Sequence, residues 1–373
     1  NPNILKKFNN ISWNEAIIKL HLPKNVGNYK SDFYQRLAYD EILSSFLVHT
    51  EIRRKIKKIK KQKKIFDLKD QNKLLSRLDF KLTNDQKKTL DEINIDLKSD
   101  HKMFRLLQGD VGSGKTIVSL AAAYNIIKSG YQVAVMAPTE ILARQHFSLA
   151  KKIFDKNINI GLLSSKSEYK EKKIIIKKLK GNNIDIIFGT HAIFQKKIEF
   201  KKLGLIIIDE QHKFGVNQRK KLSDKGGESC DVLLMSATPI PRTLTMTIYG
   251  DMDLSIIREK PKSRLGVKTY SKLESKIDDI VKFIKKEIKK GNQIFWVCPL
   301  IDVSKKLDHS SVLKKYEYLK NIFPNQVELL HGKTDIDKKE LVLNNFLKKK
   351  FQILVSTTII EVGIDFPNAN VIV

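Results

Sequence analysis

Short apolar runs alternate with helical patterns along most of this chain. From about residue 81 the runs are rich in Val, Ile and Leu, and helical patterns separate most of them. They lie at residues 132–137, 159–163, 184–189, 205–209 and 232–236. Strands that alternate with helices are typical of a parallel sheet covered on both faces. The pattern therefore predicts an α/β domain over residues 81–258.

A second alternating block follows a polar, proline-containing passage at residues 259–266. Its predicted strands are 266–271, 294–299, 327–330 and 352–356, with another beginning near Asn370. The first domain contains a phosphate-binding glycine loop at residues 109–116, and the second block contains none. Two α/β domains that share one such loop predict a nucleotide in the cleft between them. We therefore expect a second α/β domain over residues 259–373.

Residues 1–80 lack a nucleotide motif and are predicted to be a helical segment leading into the first domain. A helix is expected over residues 32–64, with apolar side chains at three-to-five spacing. Its second half, residues 51–64, is a dense basic run. Such a run is either a solvated helix face or a surface that contacts phosphates. The sequence leaves both interpretations open.

Composition restricts the class of protein. The 373 residues are 41% hydrophobic, which excludes global disorder. Two isolated cysteines exclude a disulfide framework and a cysteine metal cluster, and they favour a reducing cytoplasm. No apolar run is as long as a membrane span, so no membrane partner is expected. The net charge of +29 favours a polyanionic partner without establishing one.

The strongest chemical signal is a glycine loop between a predicted strand (103–108) and a predicted helix (117–127). Its residues fit the pattern G-x-x-x-x-G-K-[ST] and are Gly109, Asp110, Val111, Gly112, Ser113, Gly114, Lys115 and Thr116. Backbone N–H groups of such a loop surround a β-phosphate at a helix N-terminus. Lys115 would reach the β- and γ-phosphates, and Thr116 would hold Mg²⁺. The chain is predicted to bind a nucleoside triphosphate.

Two acidic residues, Asp209 and Glu210, end the apolar strand 205–209. A carboxylate at the carboxyl end of a strand faces the crevice where ligands bind in open sheets. Asp209 would hold Mg²⁺, and Glu210 would orient or deprotonate the attacking water. His212, two residues further on, is interpreted as a coupling residue rather than a metal ligand.

Other turns follow predicted strands. Ser236 and Thr238 precede two prolines and Arg242, and these small hydroxyls can link the γ-phosphate site to the neighbouring domain. Helix N-termini after residues 137 and 189 offer N–H groups to a nucleic-acid phosphate. In the second block, Thr357, Gly363 and Asp365 are candidates to face nucleotide or nucleic acid; by spacing alone they are ordinary loop residues.

Together these segments resemble the superfamily 2 helicases. Phe80, Thr83 and Gln86 resemble that superfamily's adenine-reading element ahead of the glycine loop. The resemblance continues in chain order through residues 109–116, 137–139, 189–190, 209–212, 236–238 and 357–365. Six collinear motifs are far more specific than any one of them.

Four sequence segments resemble the RecG family of branched-DNA helicases in particular. They are residues 35–41, 109–116, 209–216 and 239–243. The transcription-repair coupling translocase is the nearest related type, but it usually has Phe at the position of Ser113 and Glu at that of Gln211. Lys213 replaces a usual Arg, which is a mild change.

The resemblance implies two RecA-like parallel-sheet motor domains, the second one truncated. It also implies ATP-driven translocation on branched duplex DNA with ATP and Mg²⁺, in repair and recombination. It assigns nucleotide contacts to the adenine element, the glycine loop, Gly363 and Asp365, and coupling to His212, Ser236, Thr238 and Arg242. Contacts to DNA are implied for Thr139, Arg144, Gly189, Thr190, His191 and Thr357.

We also expect the sequence to be a fragment, since it begins with Asn1, ends within a predicted strand, and lacks the family's wedge domain and last helicase motif. The last motif carries arginines that complete the ATP site. Three alternatives stay open. One is a nucleotide-switched module that clamps nucleic acid without productive turnover, and another is a duplex translocase of the transcription-repair coupling type. The third is an RNA helicase of the same superfamily, which residues 209–212 and 239–243 disfavour.

Overall fold

A computed structural model describes residues 6–22, 31–164, 169–195, 197–210, 227, 230–237, 252–261, 266–298, 307–331, 334–356 and 366–373. The chain divides into two compact units. The first consists of Asn1–Pro138 with His146–Pro261, and the second of Thr139–Gln145 with Lys262–Val373. No helix in the described part of the chain is both long and apolar enough to cross a membrane.

The described helices precede the first strand or lie between strands in chain order. They are α1 (Trp13–His21), α2 (Asp32–Lys58), α3 (Leu68–Leu75), α4 (Asn84–Lys98), α5 (Lys115–Lys128), α6 (Glu140–Ile153), α7 (Tyr169–Lys180), α8 (Ile277–Lys289), α9 (Leu307–Ile322) and α10 (Ile336–Leu347). Short 3-10 helices occupy His191–Phe194 and Glu274–Lys276.

The first unit contains a seven-stranded sheet. Its strands are β1 (Phe104–Gly109), β2 (Gln132–Met136), β3 (Ile160–Leu163), β4 (Ile186–Gly189), β5 (Leu203–Ile208), β6 (Asp231–Ser236) and β7 (Asp253–Ile257). The order is β3-β4-β2-β5-β6-β1-β7, and all neighbouring strands are parallel. The predicted parallel sheet is confirmed.

Side chains of this sheet are buried on both faces. Leu107 and Ile207 belong to one apolar cluster, whereas their neighbours Leu106 and Ile206 belong to another. Successive side chains of a strand point to opposite faces, so a strand covered on both sides must be apolar at every position. This explains why the strands were visible in the sequence as continuous apolar runs.

β7 was not predicted from the sequence. Its residues, Asp253–Ile257, begin with an acid and include Ser255, so no continuous apolar run marks them. Only some of its side chains are buried, because β7 has β1 as its one neighbour and forms the edge of the sheet. An edge strand tolerates polar residues that a central strand excludes.

The second unit contains a four-stranded parallel sheet. Its strands are β8 (Gln293–Val297), β9 (Val327–Leu330), β10 (Ile353–Ser356) and β11 (Ala369–Ile372), in the order β11-β8-β10-β9. The strand predicted at residues 266–271 is wrong. That segment has no regular structure, and Val267 is 92% exposed and Tyr270 78% exposed. Without a neighbouring strand, its backbone and apolar side chains stay in water.

The basic run predicted as one continuous helix also differs. Helix α2 ends at Lys58, and Lys60 then bridges to His101 in an extended conformation. Two lysines of this extended segment, Lys61 and Lys64, are buried. The Lys64 ammonium lies 3.6 Å from the centre of the Tyr131 ring. For these two lysines, both the solvated-face and the phosphate-contact interpretations are wrong.

Candidate nucleotide-binding site

The carboxyl ends of neighbouring strands gather the predicted nucleotide residues. In the first sheet β2, β5, β6 and β1 are adjacent and parallel. Ser236 pairs with Gln108, and Ile208 pairs with Met136. The glycine loop follows β1, and Asp209 follows β5. Because these strands end at one edge of the sheet, the loop and the acidic pair share that edge.

The glycine loop adopts a conformation that only glycine accommodates at two positions. Gly112 and Gly114 have φ angles of +75° and +86°. A Cβ atom on Gly114 would lie 2.2 Å from Nε2 of Gln86, and one on Gly109 would lie 2.5 Å from Oγ of Ser113. Gly112 and Gly114 are thus required by their backbone angles, and a side chain at position 109 or 114 would also displace Ser113 or Gln86.

Ser113 supports the fit of this loop to a phosphate. Its hydroxyl is buried and has no hydrogen-bond partner among the described residues. A buried hydroxyl left without a partner costs about 1–3 kcal/mol. Helix α5 begins two residues later without a side-chain cap on its first N–H groups. Among the described residues, the Ser113 hydroxyl and the uncapped start of α5 therefore leave hydrogen-bonding capacity that a phosphate can use.

Lys115 lies inside the loop rather than in solvent. Its ammonium donates to the carbonyl oxygens of Gly109 and Asp110 at 2.7 and 3.1 Å. Burial lowers the pKa of Lys115, while the nearby carboxylates of Glu210 and Asp209 oppose that shift. Among the described residues its hydrogen bonds go to carbonyl oxygens, and a buried ammonium gains from an anionic partner. Its chemistry fits a phosphate oxygen.

The predicted adenine element contacts the loop directly. Thr83 caps helix α4 and forms a reciprocal capping box with Gln86. The Gln86 side chain accepts from Thr83 N–H at 2.9 Å and donates from Nε2 to the Ser113 carbonyl at 2.7 Å. Gln86 thus connects the start of α4 to the glycine loop. Phe80, just ahead of this cap, is 41% exposed.

The acidic pair after β5 is buried. Asp209 donates its N–H to the Met136 carbonyl at 2.8 Å, which continues the pairing of β5 with β2. Glu210 has a φ of +52°, an unusual angle for a residue with a side chain. Its Oε2 accepts from Ala237 N–H at 3.4 Å. The strained backbone turns the second carboxylate towards the end of β6.

Thr116 and Asp209 are the residues predicted to hold Mg²⁺. Thr116 lies in the first turn of α5, and Asp209 follows β5 at the same edge of the sheet. A single carboxylate with a hydroxyl suits Mg²⁺, which keeps most of its water and binds few protein ligands. Within the described residues, no group of three or more acidic, His or Cys side chains is placed to hold a metal ion.

The described residues that are predicted to contact DNA lie in or just after two turns. The Thr139 hydroxyl accepts from Leu142 N–H at 3.4 Å, and Arg144 pairs with Glu140 at 2.6 Å, both at the start of α6. The Arg144 side chain is 55% exposed. Its cation is therefore held on the helix and faces water.

The second turn follows β4. A Cβ atom on Gly189 would lie 2.5 Å from the Leu163 carbonyl, so only glycine fits there. Thr190 then precedes the 3-10 helix that begins with the exposed His191. Ser236 is buried at the end of β6. The remaining predicted residues, His212, Thr238, Arg242, Thr357, Gly363 and Asp365, lie outside the described residues.

Sequence reasoning missed a buried contact of Asp209. Nε2 of His146, on helix α6, lies 2.8 Å from the Asp209 Oδ2 atom, and both side chains are 9% exposed. A signal was present in the sequence. His146 falls at helical spacing on the apolar stripe that includes Leu142 and Ala150, where a polar residue requires a partner.

A second missed contact joins the adenine element to the end of β7. The Asp85 carboxylate accepts from the N–H groups of Arg258 and Glu259 at 2.8 and 3.0 Å. These backbone hydrogen bonds hold the pKa of Asp85 below its usual value. Lys260 pairs with Asp110 of the phosphate loop at 3.1 Å. Nothing local in the sequence indicated these contacts, because the partners are more than 140 residues apart.

Comparison with known proteins agrees with this geometry. The profile of the DEAD/DEAH box helicase family matches residues 83–247, and that of the helicase conserved C-terminal domain matches residues 275–373. Proteins named ATP-dependent DNA helicase RecG from Aquifex aeolicus (strain VF5) and Bacillus subtilis (strain 168) are 46% and 42% identical to this chain. Each alignment covers 99% of this chain and, respectively, 48% and 54% of the relative. The chain thus spans about half the length of these relatives.

Solved structures give the same result. The structure of RecG bound to a three-way DNA junction matches with a TM-score of 0.80 at 39% identity, over 91% of this chain and 45% of that one. The DEAD-box helicase Mss116 bound to ssRNA and UDP-BeF has a TM-score of 0.58 at 22% identity, over 82% of this chain and 66% of that one. The latter match shows the fold alone. The predicted pair of RecA-like parallel-sheet domains is confirmed, and the chain belongs to the RecG family.

Proposed function

We propose that this chain is the motor part of an ATP-dependent DNA helicase that remodels branched DNA in repair and recombination. The observation that carries the proposal is the edge of the first sheet, where the phosphate loop and the acidic pair Asp209–Glu210 meet. RecG relatives aligned over 99% of the chain supply the DNA substrate class. We retain the division into a helical segment (1–80), a first motor domain (81–258) and a second motor domain (259–373).

Each residue of the site has a chemical role in this proposal. Lys115 leaves its carbonyl partners and binds the β- and γ-phosphates, while loop N–H groups surround the β-phosphate. Thr116 and Asp209 hold Mg²⁺, which when bound neutralises charge on the phosphates. Glu210 orients the attacking water and accepts its proton.

Residues around this centre bind the base and connect the site to DNA. Phe80 and Gln86 contact the adenine, and Gly363 and Asp365 complete the nucleotide site. His212, Ser236, Thr238 and Arg242 couple hydrolysis to motion. The DNA contacts are assigned to Thr139, Arg144, Gly189, Thr190, His191 and Thr357. Exposure of the Arg144 side chain supports its place in this set.

The proposed setting is the cytoplasm. Cys230 and Cys298 are both free thiols, and free thiols persist in a reducing compartment. Burial raises the pKa of the Cys230 thiol to about 12, which keeps it protonated and unreactive.

Three other functions make different predictions. A nucleotide-switched clamp would bind ATP and DNA without stimulated turnover. A duplex translocase of the transcription-repair coupling type would respond equally to linear and forked DNA. An RNA helicase would respond to RNA instead.

The test is ATP turnover by the chain with forked DNA, linear duplex, RNA or no nucleic acid. Lys115→Ala provides the background, and Lys87→Ala, an exposed lysine on α4, is the matched control. We expect forked DNA to stimulate most and Lys115→Ala to abolish turnover. Stimulation by RNA alone, or turnover that survives Lys115→Ala, would contradict the proposal.

A further inference from the structure

The imidazole of His146 is a buried partner of a carboxylate in the nucleotide site. A carboxylate oxygen accepts hydrogen bonds, so His146 Nε2 carries the hydrogen that reaches Asp209 Oδ2. The 2.8 Å separation is that of a well-formed hydrogen bond. Because water is nearly excluded from both side chains, the contact fixes the carboxylate more firmly than an exposed one would.

The position of His146 is itself set by helix packing. The next residue, Phe147, packs edge-on against Phe188 of β4, with ring centres 6.3 Å apart. One turn further along α6, Ala150 is completely buried in the apolar cluster of the first sheet. These contacts hold this part of α6 against the sheet, so the imidazole reaches Asp209 from a defined direction.

We propose that His146 is a positioning residue that couples DNA binding on α6 to nucleotide binding at Asp209. The inference rests on the proposed function, in which Asp209 holds Mg²⁺ and Thr139 and Arg144 contact DNA. Arg144 precedes His146 by two residues on the same helix. The helix is continuous from Arg144 to His146, so a force on its first turns reaches the imidazole and biases its hydrogen bond to the carboxylate while the packing beyond His146 stays in place.

This assignment has a thermodynamic consequence. DNA and nucleotide must change each other's affinity by the same factor. If the hydrogen bond of His146 transmits the position of α6 to Asp209, the size of that factor depends on His146. A merely structural His146 would affect stability and leave that factor intact. The coupling factor therefore separates the two roles, and it is measured by equilibrium binding without turnover.

The experiment measures the affinity of a fluorescent, non-hydrolysable ATP analogue with Mg²⁺, with and without saturating forked DNA. The variants are His146→Ala, which removes the donor, and His146→Gln, whose side-chain amide can donate to the same oxygen. His101→Ala is the control, since that imidazole is about half exposed and lies outside the site. Should His146→Ala fail to fold, His146→Leu removes the donor while filling most of the space.

We expect DNA to change nucleotide affinity on the order of tenfold in the wild-type chain. The factor should fall to about one in His146→Ala, recover in His146→Gln and stay unchanged in His101→Ala. Wild-type coupling in His146→Ala, or no recovery in His146→Gln, would overturn the assignment of His146 alone. A wild-type chain that binds nucleotide without any effect of DNA would overturn the proposed function as well.

Discussion

The ammonium of Lys61 lies 2.7 and 2.8 Å from the two carboxylate oxygens of Asp231, and solvent reaches neither side chain. The same ammonium donates to the Asp96 carbonyl at 2.9 Å, and Met103 N–H donates to Asp231 Oδ1 at 2.8 Å. The pair connects the segment after α2 to the first residue of β6. Part of the basic run is thus an internal anchor for the N-terminal helices.

Breaking this ion pair should destabilise the first unit. Asp231→Ala leaves a buried ammonium without its counter-charge, which costs about 3–5 kcal/mol. Replacing both residues, with Lys61→Met and Asp231→Leu, should restore most of that loss because no buried charge remains. Scanning calorimetry measures both effects. Lys180→Ala, which breaks an exposed pair with Glu199, is the control and should leave Tm unchanged. Equal losses in the single and double variants would contradict the explanation.

Gly114→Ala should weaken nucleotide binding on the order of tenfold, since a strained φ costs about 1–3 kcal/mol and the new methyl group displaces Gln86. Gly130→Ala is a close control. Gly130 has a φ of +79°, similar to that of Gly114, but a Cβ there meets nothing within 4 Å. Titration with a fluorescent nucleotide should show normal affinity for Gly130→Ala. The same affinity loss in both variants would show that backbone strain, not the contact with Gln86, matters.

Glu210→Gln should keep nucleotide binding and lower turnover about 10²–10⁴-fold. The amide retains the size of the side chain but cannot accept the proton of the attacking water. Binding and turnover are measured on the same preparation, with Glu171→Gln, an exposed position on α7, as the control. Preserved turnover in Glu210→Gln would remove this residue from the chemical step.

Asp155 should make the free energy of unfolding depend on pH in the acid range. Burial alone raises its pKa, but hydrogen bonds from Tyr124, Arg77 and Lys128 outweigh that effect and lower the pKa to about 2. Because the pKa is lower in the folded state, the charged carboxylate stabilises the fold at pH values above the unfolded pKa near 3.9. This stabilisation is lost as the pH falls towards 2. Asp155→Asn should therefore destabilise by about 1–2 kcal/mol at pH 7, a figure reduced for partial exposure.

The difference between Asp155→Asn and wild type should shrink as the pH falls from 4 to 3. Urea unfolding at pH 7, 4 and 3 measures it. A difference that is constant with pH would mean that the three hydrogen bonds, rather than the charge, account for the stabilisation.

Local patterns predicted what depends on local chemistry. The runs at Val133–Val135 and Leu205–Ile208 were recognisable because strands buried on both faces must be apolar throughout. The glycine loop was recognisable because the positive φ angles of Gly112 and Gly114 require glycine at these positions. The roles assigned to the site residues remain predictions.

Contacts between distant segments were not predictable. The burial of Lys61 depends on Asp231, 170 residues away, and a lysine-rich run gives no sign of which ammonium meets a carboxylate. The residues at 266–271 have strand-like composition, but a strand forms only where a neighbour offers hydrogen bonds. The bond between His146 and Asp209 likewise required the fold to bring α6 to the end of β5.

The order of the first sheet has a consequence for how the chain acquires its structure during synthesis. β1 lies between β6 and β7, pairing Phe104 with Val232 and Arg105 with Asp253. At roughly 5–20 residues per second, these partners leave the ribosome on the order of ten seconds after β1. Both edges of β1 are open until residue 236 emerges, and the edge that pairs with β7 stays open until residue 257 emerges. The nascent chain is therefore most vulnerable to aggregation before the strands that flank its candidate nucleotide site are complete.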